Sequence, residues 1–164
     1  MIQQISSKDG FVTLAKVLNE AFGTVAKEFG LTIENCLTNS AFITSDELKA
    51  QLTDNREFYI YRLKNEIVGF VAIEQSVNEA DTCYIEKLAV LPAYRHAGIG
   101  RQLMDFASNR IAESGSKRIS IALINSNVIL KKWYSKQGFT ETLVKVYEHL
   151  PFDVCFMEKH IVNL

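Results

Sequence analysis

The sequence predicts a mixed α/β layered fold with elements in the order βααβββαβαββ. Three observations carry that reading. The apolar spacing switches along the chain, from threes and fours to runs of β-formers and back again. The 164 residues suit one domain with a sizeable core. Only two prolines occur, Pro92 and Pro151, and no low-complexity linker or internal repeat divides the chain. One domain spanning residues 1–164 is therefore expected.

Ile2 to Ile5 reads as a short first strand. Asp9 is a candidate cap for a helix with Phe11, Leu14, Val17, Leu18 and Phe22 on one face, which Gly30 ends. Thr38 to Ser40 reads as loop. Ser45, followed by Asp46 and Glu47, caps a second helix with Leu48 and Leu52 facing inward. Glu57 to Leu63 is rich in β-formers, Lys64-Asn65 turns, and Ile67 to Ile73 returns, which makes a hairpin. After a polar loop, Ser76 to Asp81, a third run covers Cys83 to Val90 and Pro92 ends it. Gly98 to Glu113 is helical, with Ile99, Leu103, Phe106, Ala107 and Ile111 on one face, and Ser114 to Ser116 closes it. Arg118 to Ile124 is a strand. Asn127 caps a helix carrying Ile129, Trp133 and Tyr134, with Gly138 at its end. Phe139 to His149 and Val154 to Lys159 form a final antiparallel pair.

Composition excludes several classes. A net charge of −1 gives no bulk attraction to nucleic acid or an anionic membrane. Cys36, Cys83 and Cys155 are odd in number and lack CxxC spacing, which argues against a disulfide framework or a zinc knuckle. The three histidines, His96, His149 and His160, form no ligand cluster, so no metal is expected. Met1 to Gly10 lacks a basic head followed by an apolar stretch, and no apolar run approaches a bilayer span. A cytoplasmic setting is the expectation.

The most informative segment runs from Leu88 to Arg101. An apolar strand enters a short loop with two glycines and two arginines, which opens an amphipathic helix. The first turn of a helix has amide N–H groups without partners, and these with the helix dipole favour an anion. Glycine allows close approach to the backbone. Arg95 and Arg101 add charge at both edges. The segment therefore reads as a phosphate or pyrophosphate cradle, although Gly-x-Gly also serves as plain turn chemistry. The P-loop and Rossmann glycine patterns are both absent.

Arg95-x-x-Gly98-x-Gly100, preceded by Leu88-Ala89-Val90-x-Pro92-x-Tyr94, resembles the signature of the GCN5-related N-acetyltransferase (GNAT) superfamily. A second similar block follows: Asn127-x-x-Leu130-x-x-Trp133-Tyr134-x-x-x-Gly138-Phe139. The blocks cover about the central third of the chain, from Tyr84 to Phe139. The resemblance implies a single-domain fold with a mostly antiparallel sheet flanked by helices. It implies an acetyl-coenzyme A-dependent N-acyltransferase acting on a primary amine by direct attack. The amides of His96, Ala97, Gly98, Ile99, Gly100 and Arg101 would hold the pyrophosphate. The backbone at Leu88, Ala89 and Val90 would pair with the pantetheine arm, with Asn127 helping. The Ala89 amide would face the developing oxyanion. His96, Ala97 and Leu130 depart from the residues common in the family.

The same resemblance implies that Tyr134 assists the leaving thiolate; otherwise it reads as a core aromatic. Glu86 lies near the family's base position. It reads equally as a strand carboxylate paired with Lys87 or another cation. Residues 22–52 and 146–156 would form the acceptor pocket, for a small-molecule or peptide amine. No nucleic-acid or membrane partner is expected, and a homodimer is admissible. A coenzyme A-binding module without turnover is the alternative.

Overall fold

A computed structural model describes residues 1–162. Strand β1 (Ile2–Gln4) is followed by helices α1 (Phe11–Glu28) and α2 (Ser45–Gln51). Strands β2 (Arg56–Leu63), β3 (Glu66–Gln75) and β4 (Thr82–Val90) come next, then helix α3 (Ile99–Glu113). Strand β5 (Arg118–Ile124), helix α4 (Val128–Lys136) and strands β6 (Thr140–Lys145) and β7 (Val154–His160) complete the order that the sequence predicts. The seven strands form one sheet in the order β1-β2-β3-β4-β5-β7-β6. All neighbouring pairs are antiparallel except β4 and β5, which are parallel.

Strand alternation sends successive side chains to opposite faces. On one face Val68, Val71, Ile85 and Ile121 pack under Leu103, Met104, Ala107 and Ile111 of α3. On the other, Phe58, Ile60, Phe70 and Ala72 pack under Leu14 and Leu18 of α1 and Leu48 of α2. Each such large apolar side chain, once buried, contributes roughly 1.5–3 kcal/mol. Gly69 of β3 sets how close α3 lies: a Cβ there would stand 2.9 Å from Leu103 Cδ1.

Local chemistry moves several expected boundaries. Asp9 does not cap α1; its carboxylate accepts from Ser6 N (2.7 Å) and Ser6 Oγ (3.0 Å), and Gly10 is the N-cap. Thr44 caps α2 instead of Ser45. Only Thr44 stands three residues before Glu47, the spacing a reciprocal capping box needs, and both of its bonds form. Gly98 precedes α3 as its N-cap. Ile129 of α4 is 80% exposed, and the buried residue of that helix is Tyr134. β6 ends at Lys145 rather than His149, because its partner β7 begins at Val154 opposite Lys145. Beyond it the chain turns, with Leu150 N donating to Tyr147 O at 3.1 Å.

Candidate active site

The parallel junction of β4 and β5 opens the sheet. The two strands pair only from Thr82 to Tyr84, against Arg118 to Ser120. Beyond Tyr84 they part, so among the described residues the later half of β4 pairs with β3 alone. A bulge sits at this divergence: the register with β3 shifts between Phe70 and Ala72, and Lys87 adopts φ 50°. Past the bulge, Leu91 N donates to Val68 O at 2.8 Å. Alternation then turns the Ala89 amide, which faces Phe70, toward β3, and leaves the amides of Leu88 and Val90 on the open side. The expected role of Ala89 as an oxyanion donor therefore does not fit this register; Leu88 has the required direction.

The open edge leads into the glycine loop. Among the described residues, the successive amide N–H groups of His96, Ala97, Gly98, Ile99, Gly100 and Arg101 donate to no acceptor, and the first loop-to-helix bond is Gln102 N to Gly98 O at 3.0 Å. His96 (φ 63°) and Gly98 (φ 83°) are left-handed, which curls these donors into an anion-binding concavity. Gly100 lies between β4 and α4: a Cβ there would stand 3.7 Å from both Val90 Cγ2 and Trp133 Cζ2.

The two arginines divide. Arg101 is largely exposed, with a loose 3.8 Å pair to Asp105, and stands at the rim. Arg95 does not supply free charge to the loop. Its guanidinium donates to Val90 O (3.1 Å), Thr24 Oγ1 (3.0 Å) and Ala21 O (2.8 Å), which ties the loop to α1 and occupies one carbonyl of β4.

α4 stands across the opening. Asn127 caps it, its Oδ1 accepting from Leu130 N at 3.2 Å, which leaves the side-chain NH2 for other work. Tyr134 packs edge-to-face on Trp133 and Phe139, at 5.1 and 5.7 Å between centroids. Burial pushes its phenol well above the ordinary range, so the hydroxyl stays protonated and able to donate.

Glu86 sits one residue before the bulge. Burial first, and then the neighbouring Glu74 carboxyl, raise its pKa to about 7, against the opposing pull of Arg56 and Lys87. Arg56 Nε lies 3.3 Å from Glu86 Oε2, but Arg56 Nη2 meets Glu74 Oε2 at 2.7 Å. Lys87 turns its ammonium toward Ser40 Oγ (3.4 Å), and burial lowers its pKa.

A family model for the acetyltransferase (GNAT) domain matches residues 54–141, from just before β2 into β6. That span holds the parted strands, the loop of free amides and α4. The chain belongs to the GNAT acetyltransferase family. It is 23% identical over 141 residues to the uncharacterized N-acetyltransferase YjgM of Escherichia coli K12, covering 85% of this chain and 74% of that one. Other curated N-acetyltransferases are matched over about half of their own length. Among solved structures, the ribosomal-protein-S18-alanine N-acetyltransferase of Escherichia coli superposes with a TM-score of 0.77 at 15% identity, covering 100% of this chain and 95% of that one. The PaiA N-acetyltransferase of Thermoplasma acidophilum, in complex with coenzyme A, gives 0.72 at 20% identity, covering 98% of each chain. Both likenesses are of fold.

In this GNAT chain the two segments expected to form the acceptor pocket do meet. Phe29, Ala41 and Phe42 share a cluster with Leu150 and Phe152 around Ile124. One well-formed concavity lies elsewhere. About 530 Å³ in volume, it lies between α1 and the β2–β3 hairpin and touches the glycine loop's approach only at Leu91. The open cleft beside β4 carries the unpaired donors, so chemistry and not enclosed volume marks the site. Arg56, Glu74 and Ser40 were missed in the sequence. Their proximity to Glu86 and Lys87 depends on strand register and on how the α1–α2 connection folds over, which no local pattern encodes. Among the described residues, no three His, Cys, Asp or Glu side chains group as metal ligands, and no helix is long and apolar enough to cross a membrane.

Proposed function

We propose that this GNAT domain transfers the acetyl group of acetyl-coenzyme A to an amine by direct attack. The observation that carries the reading is the run of unpartnered amides from His96 to Arg101 beside the unpaired edge of β4. Curled amides at a helix start suit a pyrophosphate. An open strand edge suits an amide-bearing arm that adds like a strand. The relative solved with coenzyme A has the same fold. Acetyl-coenzyme A supplies an activated thioester.

The residues of the chain divide the remaining work. Arg101 adds charge at the rim, and the Asn127 NH2 steadies the arm. The Leu88 amide donates to the carbonyl oxygen as it gains charge. Glu86, poised near neutrality, takes the proton from the acceptor ammonium, directly or through a water. The amine lone pair then forms the new C–N bond as the C–S bond breaks. The Tyr134 hydroxyl donates to the departing thiolate sulfur. The acceptor enters between the α1–α2 connection and the turn after β6, where Phe42 and Phe152 lie. Its amine belongs to a small molecule or a peptide.

Calorimetry with acetyl-coenzyme A in metal-free buffer tests the first half, with micromolar affinity expected. A panel of polyamines, amino acids, aminoglycosides and N-terminal peptides, followed by free-thiol release, tests the second. Binding with no turnover on any amine would reassign the domain as a coenzyme A-binding module. Absence of binding would overturn the reading.

A further inference from the structure

The two carboxylates and two cations around the β4 bulge are not paired as simple charge matching would pair them. Arg56 of β2 stands directly opposite Glu74 of β3, and Glu86 of β4 stands opposite Ala72, one diagonal step away on the same face. Arg56 Nη2 donates to Glu74 Oε2 at 2.7 Å, and Nη1 donates to Gln51 O at 3.3 Å. Only Nε faces Glu86, and despite the 3.3 Å approach it is out of line and makes no hydrogen bond. Lys87, at the left-handed bulge, directs its ammonium to Ser40 Oγ. Each cation near Glu86 is therefore engaged by another acceptor.

We propose that Glu74 is a positioning residue for Glu86: by engaging Arg56 Nη2 it limits the guanidinium to an out-of-line Nε contact with the Glu86 carboxylate, short of a hydrogen bond, and leaves that carboxylate able to accept a proton. Arg56 from β2, Glu74 from β3 and Lys87 from its own strand are the charges that act on Glu86. A guanidinium fully paired with Glu86 would favour its ionised form and make it a weaker base. The proposal rests on reading Glu86 as the proton acceptor, but it is tested without turnover.

Protein labelled with ¹³C at glutamate carboxyls is titrated by NMR, with the Glu86 signal assigned by its loss in Glu86→Gln. In Glu74→Gln the Glu86 midpoint is expected to fall by about one pH unit or more, because a repelling charge goes and Arg56 is released toward Glu86. In Arg56→Gln it is expected to rise. Glu74→Asp keeps the charge but shortens the reach, and a downward shift is expected again; this variant decides the matter if Glu74→Gln does not fold. A Glu86 midpoint unmoved in the Glu74 variants, whatever their melting temperatures, would overturn the proposal. Failure of the base reading would look different: Glu86→Gln would retain full turnover while the midpoint still responds to Glu74.

Discussion

The role proposed for Tyr134 divides packing from chemistry between different atoms of one side chain. Its ring is held between Trp133 and Phe139, while burial keeps its hydroxyl protonated. Tyr134→Phe keeps the ring and removes only the hydroxyl. Turnover kinetics should show kcat lower by at least about tenfold, with acetyl-coenzyme A affinity and Tm nearly unchanged. Lower Tm with full kcat would assign the residue to the core alone. Glu86 carries a pH signature. Its folded pKa of about 7 lies above the ordinary carboxyl value of 4.5. Its contribution to stability is thus complete at acid pH and is lost as pH rises through about 7. Glu86→Gln should therefore raise Tm over the parent at pH 8 by about 2 °C or more, with little change at pH 5. The same variant should lose activity, and the parent's rate should fall as pH drops below about 7. His96 occupies a left-handed conformation that costs a side-chain-bearing residue about 1–2 kcal/mol, partly offset by the entropy a glycine would lose. His96→Gly should raise Tm by about 1–3 °C and leave acetyl-coenzyme A affinity within about threefold, by thermal unfolding and calorimetry.

At the scale of elements, Arg95 links two parts of the chain that are far apart in sequence. The signature arginine clamps α1 through Ala21 and Thr24 and steadies the end of β4 through Val90. Arg95→Ala should cost about 2 kcal/mol, seen as a Tm lower by about 4–8 °C, and should weaken acetyl-coenzyme A binding by at least about fivefold. Arg101→Ala should weaken binding in a salt-dependent way with Tm unchanged, since its ion pair with Asp105 is loose and exposed. Element type and order were legible because periodicity and turn residues are local signals. The errors fell where a local choice depends on a partner. Thr44 outcompetes Ser45 because the capping box closes with Glu47. β6 stops at Lys145 because β7 offers no partner beyond Val154. Gly98 and Gly100 announced the loop, but nothing near Arg95 in sequence reveals that its charge is spent on α1.

Across the whole molecule, the proposed function rests on how the sheet comes apart. α3 and α1 pack on opposite faces, and each face is closed by apolar burial. The single parallel junction is the place where two neighbouring strands diverge, and the loop of free amides and α4 both stand beside it. The loop and α4 residues were legible as two motifs in order. The cleft between them was not, because strand divergence and the bulge at Lys87 are properties of the assembled sheet. The same holds for the Arg56–Glu74–Glu86 arrangement, which exists only through three-strand register. The central claim, that acetyl-coenzyme A lies on the glycine loop and along the open edge of β4, is tested most directly by amide NMR during titration with acetyl-coenzyme A. The largest shifts are expected at residues 96–101, Leu88 and Val90, with the groove residues Thr13, Lys16 and Arg62 unmoved. Shifts confined to that groove, with the 96–101 amides silent, would contradict it.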